Sequence, residues 1–205
     1  MRLNTRPLLA LLVGFLGMES AMAIEEPRYE VRSSQPPFEL RYYSPTLIAQ
    51  TIVNGDMDAA SNKGFRLIAD FIFGNNLAVG SEQASKIAMT APVTLEPQSD
   101  DISVASAKQW RVHFVMPGHY TLANIPKPNN SAVTLHELPG KYMVVHRYSG
   151  LNTVARVQEK TDEALVWAKQ QSLKVVGTPQ LSRYDPPWTL PMFRRNEIML
   201  EVAAP

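Results

Sequence analysis

The sequence predicts an α+β domain in which two similar halves share one curved sheet and two main helices. Two helix-length segments, about Asp56–Phe73 and Asn152–Gln171, each follow a strand-like stretch, Phe38–Val53 and Val133–Tyr148. Laid over each other at an offset of 95, Leu40 meets Leu135, Gly55 meets Gly150 and Ala69 meets Ala164. Ile87 and Pro92 meet Leu181 and Pro186 at 94, and Val112, Phe114 and Met116 meet Ile198, Leu200 and Val202 at 86. Each half therefore reads strand, helix, extended segment with Pro, strand. Neither half can cover its sheet well alone, so a shared, pseudo-twofold sheet is the economical arrangement. A groove at the junction of such halves is a common place for a ligand.

The chain begins with a basic start (Arg2, Arg6), an apolar run (Leu8–Phe15) and Ala21-Met22-Ala23, an A-x-A site. This pattern is that of a secretory signal peptide over 1–23, and its apolar run falls short of the ~20 residues a spanning helix needs. The mature domain is expected over 24–205, with half-repeats at about 36–120 and 131–203. The expected location is periplasmic or secreted, with no stable membrane insertion after cleavage. The chain has no cysteine, so a core alone must hold an exported domain of this length. The same absence excludes thiolate metal sites and cysteine nucleophiles. A net charge of +1, with no basic block longer than Arg194-Arg195, argues against nucleic acid as a partner.

In the first helix Phe65, Ile68, Ala69 and Ile72 form an apolar stripe, with Leu67 and Phe71 beside it. That is wider than one contact face needs, which fits deep packing or one side lining a pocket. Gly64 costs roughly 1 kcal/mol against Ala in a helix interior, and close approach of a flat ligand would explain it. The second helix carries the tidier stripe Val154, Val157, Thr161, Ala164, Leu165 and Ala168. Pro97–Lys108 and Asn124–Ser131 are polar or Pro-rich and read as surface loops.

The most informative stretch is Tyr184–Val202, YDPPWTLPMFRRNEIMLEV. Its two adjacent prolines remove two donors and force a turn. An apolar hook follows, Trp188, Leu190, Met192 and Phe193, and then Arg194-Arg195 leads into a strand whose Ile198, Leu200 and Val202 share a face. Such a loop suits an amphiphile with an apolar body and acidic ends.

Lys86–Thr94 (KIAMTAPVT), the distant YDPP of Tyr184–Pro187 and the RRNEI of Arg194–Ile198 together resemble the SOUL heme-binding protein family. The resemblance covers about Ile24–Val202. It implies a distorted, barrel-like antiparallel sheet flanked by two helices, and reversible, non-covalent binding of heme or another tetrapyrrole in a hydrophobic cleft. It also implies a cleft bounded by the first helix and the C-terminal loop. Carried over by motif, these are Lys63, Phe65, Arg66 and Ala69 facing Tyr184, Trp188, Leu190, Met192 and Phe193. Arg194, with Lys63, Arg66 and Arg195, is the candidate to pair the propionates. Where some members have a histidine proposed as iron ligand, this chain has Tyr42; a phenolate can ligate ferric iron, but the histidine itself is absent.

The four histidines, His113, His119, His136 and His146, show no metal-ligand spacing. Met192 is the methionine singled out for ligand contact. No G-x-S-x-G elbow, phosphate loop or acidic pair marks an enzyme. Glu197 is the best single acidic candidate, as counter-charge for a lipophilic cation or, with Tyr184, as part of a hydrolase. Strand alternation puts it opposite the Ile198 face, where exposure or an arginine partner is expected.

Overall fold

A computed structural model describes residues 24–98 and 104–205. The expected leader at 1–23 lies outside the described residues. The strands are β1 (Tyr29–Gln35), β2 (Phe38–Tyr43), β3 (Thr46–Asn54), β4 (Asn76–Leu77), β5 (Val93–Pro97) and β6 (Gln109–Val115). They continue as β7 (Lys127–Pro128), β8 (Thr134–Leu138), β9 (Lys141–Tyr148), β10 (Gln180–Arg183) and β11 (Asn196–Val202). Helix α1 spans Met57–Ile72, α2 spans Val154–Gln170, and a short 3₁₀ turn occupies Pro191–Phe193. Both helices start where a side chain can accept from an otherwise unpaired amide. Asp56 Oδ1 takes the N–H of Ala59 at 2.8 Å and Thr153 Oγ1 that of Arg156 at 3.2 Å.

Nine strands form one antiparallel sheet in the order β1-β2-β9-β11-β10-β5-β6-β3-β8, and β4 pairs separately with β7. Apart from the edge strand β1, which has no counterpart, the order is symmetric about the β10–β5 junction, and so are the registers. Leu40 lies opposite Val144 and Leu135 opposite Ala49, an exchange at the offset of 95. Leu95 pairs with Val112 and Leu181 with Ile198, both at 86. The offset of 94 is replaced by 86: Leu181 on β10 corresponds to Leu95 on β5, not to Ile87 before that strand. The extra residues of the first half therefore sit between α1 and β5. Each half lends its outer strand to the other: β2 adds to β9, and β8 adds to β3.

Alternation sorts each strand into two faces. Leu47, Ala49 and Val53 on β3, Trp110, Val112 and Phe114 on β6, and Ile198, Leu200 and Val202 on β11 join the main core beneath the helices. The wide stripe of α1 is spent there: Ile68, Phe71 and Ile72 are buried, Ala69 nearly so, and only Phe65 emerges at the rim. Each such apolar side chain contributes ~1.5–3 kcal/mol by leaving water. On α2, Trp167 joins the buried set, stacks on Phe38 at 5.5 Å, and donates Nε1–H to Gln35.

Gly64 has a reason in this packing. A Cβ built there would lie 2.5 Å from a Val112 methyl, so glycine lets α1 press onto β6. The close approach is made by β6 and not by a flat ligand.

The helix-free face is concave. Ile48 on β3 and Met143 on β9 stand five places apart in the sheet order, yet both line one cavity. The sheet is a strongly curled half-barrel with the helices on its outer side. Tyr43, Met143, Val145 and Met199 make a second, smaller apolar cluster inside it.

Candidate functional site

The hook is a rigid exposed turn. Arg194 donates Nε–H to Thr189 O at 2.7 Å and an Nη2–H to Pro187 O, closing the loop on itself. Gly150 N–H donates to Pro191 O at 2.9 Å, and Asn196 Nδ2 donates to Gly150 O at 3.1 Å. Gly150 has φ +113°, a conformation that favours glycine, and this lets the β9–α2 turn hold the hook from behind. Although the backbone is fixed, the side chains face solvent: Trp188 is 81% exposed, Phe193 71%, Met192 68% and Leu190 58%. Four neighbouring large apolar residues held in the open call for a partner.

The hook and α1 meet through Arg183, the last residue of β10. Its Nη1 donates to Ser61 Oγ on α1 at 2.9 Å, and Nη2 lies 3.5 Å from Asp58 Oδ1. The registers Phe114–Val93 and Val93–Arg183 run across β6, β5 and β10, and Phe65 packs on Phe114 with ring centroids 5.6 Å apart. Phe65 therefore stands about two strand spacings, ~10 Å, from the base of the hook. Lys63 and Arg66 are exposed beside it, and neither has an ionic partner among the described residues.

Sequence reasoning missed Arg183. Its Nε is buried without a hydrogen-bond acceptor, and its Nη2 has only the Asp58 carboxylate at ion-pair distance. Burial pulls its pKa below the ordinary arginine value, against the opposing pull of Asp58 and Tyr148. An under-bonded buried guanidinium is a poised receptor for a carboxylate. Nothing local in the sequence marks it, since a terminal strand arginine is ordinarily solvated.

Other candidates are committed elsewhere. Tyr184 turns its hydroxyl inward and donates to Glu197 Oε2 at 2.7 Å, while the Arg195 guanidinium lies 3.7 Å from its ring centroid. Burial first, then Glu197, raise its pKa well above the usual phenol value. Arg195 also pairs with Glu26 and Glu197 at 2.9 and 3.0 Å. Arg194 is consumed by its own loop, and Ala69 is on the buried side of α1.

Glu197 is on the expected face and has the expected arginine partner, but it is 0% exposed because the sheet curls over it. It receives bonds from Arg41, Arg195 and Tyr184. Burial opposes the Arg41 charge, yet Tyr43 and Glu197 hold it protonated above the ordinary range. Two guanidiniums already neutralise this carboxylate, which leaves no counter-charge for a lipophilic cation and no free base for hydrolysis.

The iron-ligand question has a geometric answer. Tyr42 packs against Tyr142 at 5.0 Å on β2, beside β9, in the half of the sheet that α2 covers. His113 lies on the concave face, His136 on β8, and His146 is tucked against α2 through Lys160 O at 3.2 Å. His119 follows β6. Met192 alone puts a potential ligand atom at the hook. No group of His, Asp or Glu suited to a metal ion occurs among the described residues, and no helix there is long and apolar enough to cross a membrane.

These features define an α+β half-barrel domain with its helices on one side and an apolar turn at one end. The chain belongs to the SOUL heme-binding protein family, whose model matches residues 24–201. No curated protein matches it at a significant level. Among solved structures it is similar to the C-terminal domain of EcmrR, with 12% identity, a TM-score of 0.62, and coverage of 86% of this chain and 99% of that one. It is also similar to a hydrolase from Listeria innocua, with 14% identity, a TM-score of 0.55, and coverage of 84% and 94%. At these identities the likeness is one of fold.

Proposed function

We propose that the chain binds heme or a related tetrapyrrole non-covalently and reversibly, between α1 and the hook, without catalysing a reaction on it. The family points to this ligand class. The observation that carries the reading is the pairing of the exposed apolar hook with the under-bonded Arg183. A macrocycle would cover Trp188, Leu190, Phe193 and Phe65, and one propionate would reach Arg183. Lys63 and Arg66 would meet the other at the rim, where exposed pairs add only ~0–1 kcal/mol and chiefly orient the ring. Most of the affinity comes from apolar burial at ~25 cal/mol per Å² before ordering costs.

The residues fit the porphyrin better than its iron. Heme would supply redox or ligand chemistry at the metal, while this chain supplies a greasy wall and cations; Met192 is its nearest candidate for the iron. Storage, transport or scavenging suits such a site. The leader pattern at 1–23 supports a location in the periplasm or outside the cell, which the mass of the N-terminal peptide of exported protein, expected to begin at Ile24, would test. We read the two symmetric halves as a duplicated unit.

Titrating hemin into the mature chain is expected to shift the Soret band and saturate near equimolar. The triple variant Trp188→Ser, Leu190→Ser, Phe193→Ser should lose the shift while keeping its thermal midpoint, because these side chains are exposed. An unchanged Soret titration in that variant would refute the site.

A further inference from the structure

The concave face holds a cavity of about 60 Å³, separate from the exposed side chains of the hook. Its floor is made by Ile48, Thr94, His113, Met143, Gln180 and Met199, all buried. Pro27, Thr46, Leu138 and Pro139 form a largely apolar collar that opens to solvent.

Most polar groups around this cavity are already bonded. Thr94 and Ser182 share a hydrogen bond at 2.9 Å, Tyr43 accepts from Arg41 at 3.0 Å, and Thr46 donates to Ser44 O at 2.9 Å. Lys141 is paired with Glu201 at 3.1 Å. Two floor groups differ. His113 is 6% exposed and its Nδ1 is buried with no hydrogen-bond partner, and the Gln180 amide has none among the described residues. An unpartnered buried polar atom costs ~1–3 kcal/mol, so an imidazole held this way at a cavity floor is a site awaiting a bond.

Charge narrows the guest. Burial first, then Arg111 and Lys141, press the His113 pKa down to about 3, so the ring is neutral. The same positive surroundings disfavour a cation. A carboxylate finds no free cation on the floor, since Lys141 is paired and Arg111 is bound to Glu96. A hydroxyl both donates and accepts, and therefore suits the neutral imidazole in either tautomer.

We propose that this cavity is a second ligand site, for a neutral apolar molecule carrying one hydroxyl, a phenol or an alcohol, which enters hydroxyl first to bond the His113 imidazole while its body rests in the proline collar. The volume holds the polar end and the collar takes the remainder.

The test uses p-cresol as probe and toluene as its near-isosteric control, with the mature chain carrying ¹³C-methyl methionine. The Met143 and Met199 methyl resonances are expected to move saturably with p-cresol, and toluene to bind about tenfold more weakly for want of the hydrogen bond. His113→Phe should abolish the p-cresol response and leave the hemin titration unchanged. If that variant does not fold, Thr46→Trp at the rim blocks entry without touching the floor. Equal affinity for p-cresol and toluene, shifts confined to exposed Met192, or a p-cresol-soaked crystal with ordered water alone at the His113 ring would overturn the proposal.

Discussion

Arg41 on β2 and Glu197 on β11 form a buried ion pair, 3.1 Å from Nη1 to Oε2, with side chains 3% and 0% exposed. They lie 156 residues apart, and Arg195 and Tyr184 complete the set of donors around the carboxylate. The pair ties an outer strand of the first half to the last strand of the second, directly beneath the base of the hook. Removing one member would strand buried charge. Glu197→Ala is therefore expected to lower stability by about 3–5 kcal/mol, read as a shift in the urea midpoint. Arg41→Met combined with Glu197→Leu should recover much of the loss.

Arg183 separates ligand binding from folding. Its guanidinium gains one hydrogen bond, to Ser61, and an ion pair with the exposed Asp58, against a desolvation cost. Arg183→Met should stay within about 1 kcal/mol of wild type in stability while weakening hemin about 10- to 100-fold, the span of a lost charge-assisted bond. The dimethyl ester of the porphyrin should bind wild type and variant equally. A selective loss with the ester would place the effect outside carboxylate recognition.

Gly64→Ala tests the close packing of α1 on β6. Alanine favours helix by roughly 1 kcal/mol, but its methyl would meet Val112 at 2.5 Å, and overpacking costs about 1–3 kcal/mol. Net destabilisation is expected in thermal unfolding, with partial rescue by Val112→Ala. A stabilised single variant would contradict the packing.

His113 gives a pH signature. Its folded pKa, about 3, lies below the ~6.5 of an unfolded histidine. Between these values the unfolded chain binds more protons, so stability rises with pH. The contribution is fully present above about pH 6.5 and is lost as pH falls toward 3, with a slope of up to ~1.4 kcal/mol per pH unit. The difference in unfolding free energy between wild type and His113→Gln should shrink or reverse over that window as acid is added. A pH-independent difference would show that the ring titrates normally.

Local rules were legible in the sequence where neighbours along the chain decide the outcome. The spacing of Ile68, Ala69 and Ile72 placed α1 within a residue or two of its ends, and alternation put Glu197 opposite Ile198. Two adjacent prolines located the hook. The apolar part of the candidate site was legible, because exposed hydrophobes stand out in a polar loop. Its cations were legible in part: Lys63 and Arg66 are exposed, whereas Arg194 is used by its own loop and Arg195 by Glu26 and Glu197. Arg183, which the sequence did not single out, resembles any strand-terminal arginine.

The sequence by itself determined the helices, the face of the last strand, the position of the turn and the family, since each depends on short-range periodicity or a contiguous motif. The tertiary structure alone decided that the second face of the sheet is also an interior. Curling brings strands five places apart around one cavity, which buries Glu197 against Arg41 and leaves His113 without a partner. The physical reason is that periodicity fixes which way a side chain points, whereas sheet curvature and the exchange of outer strands between halves fix what it meets there.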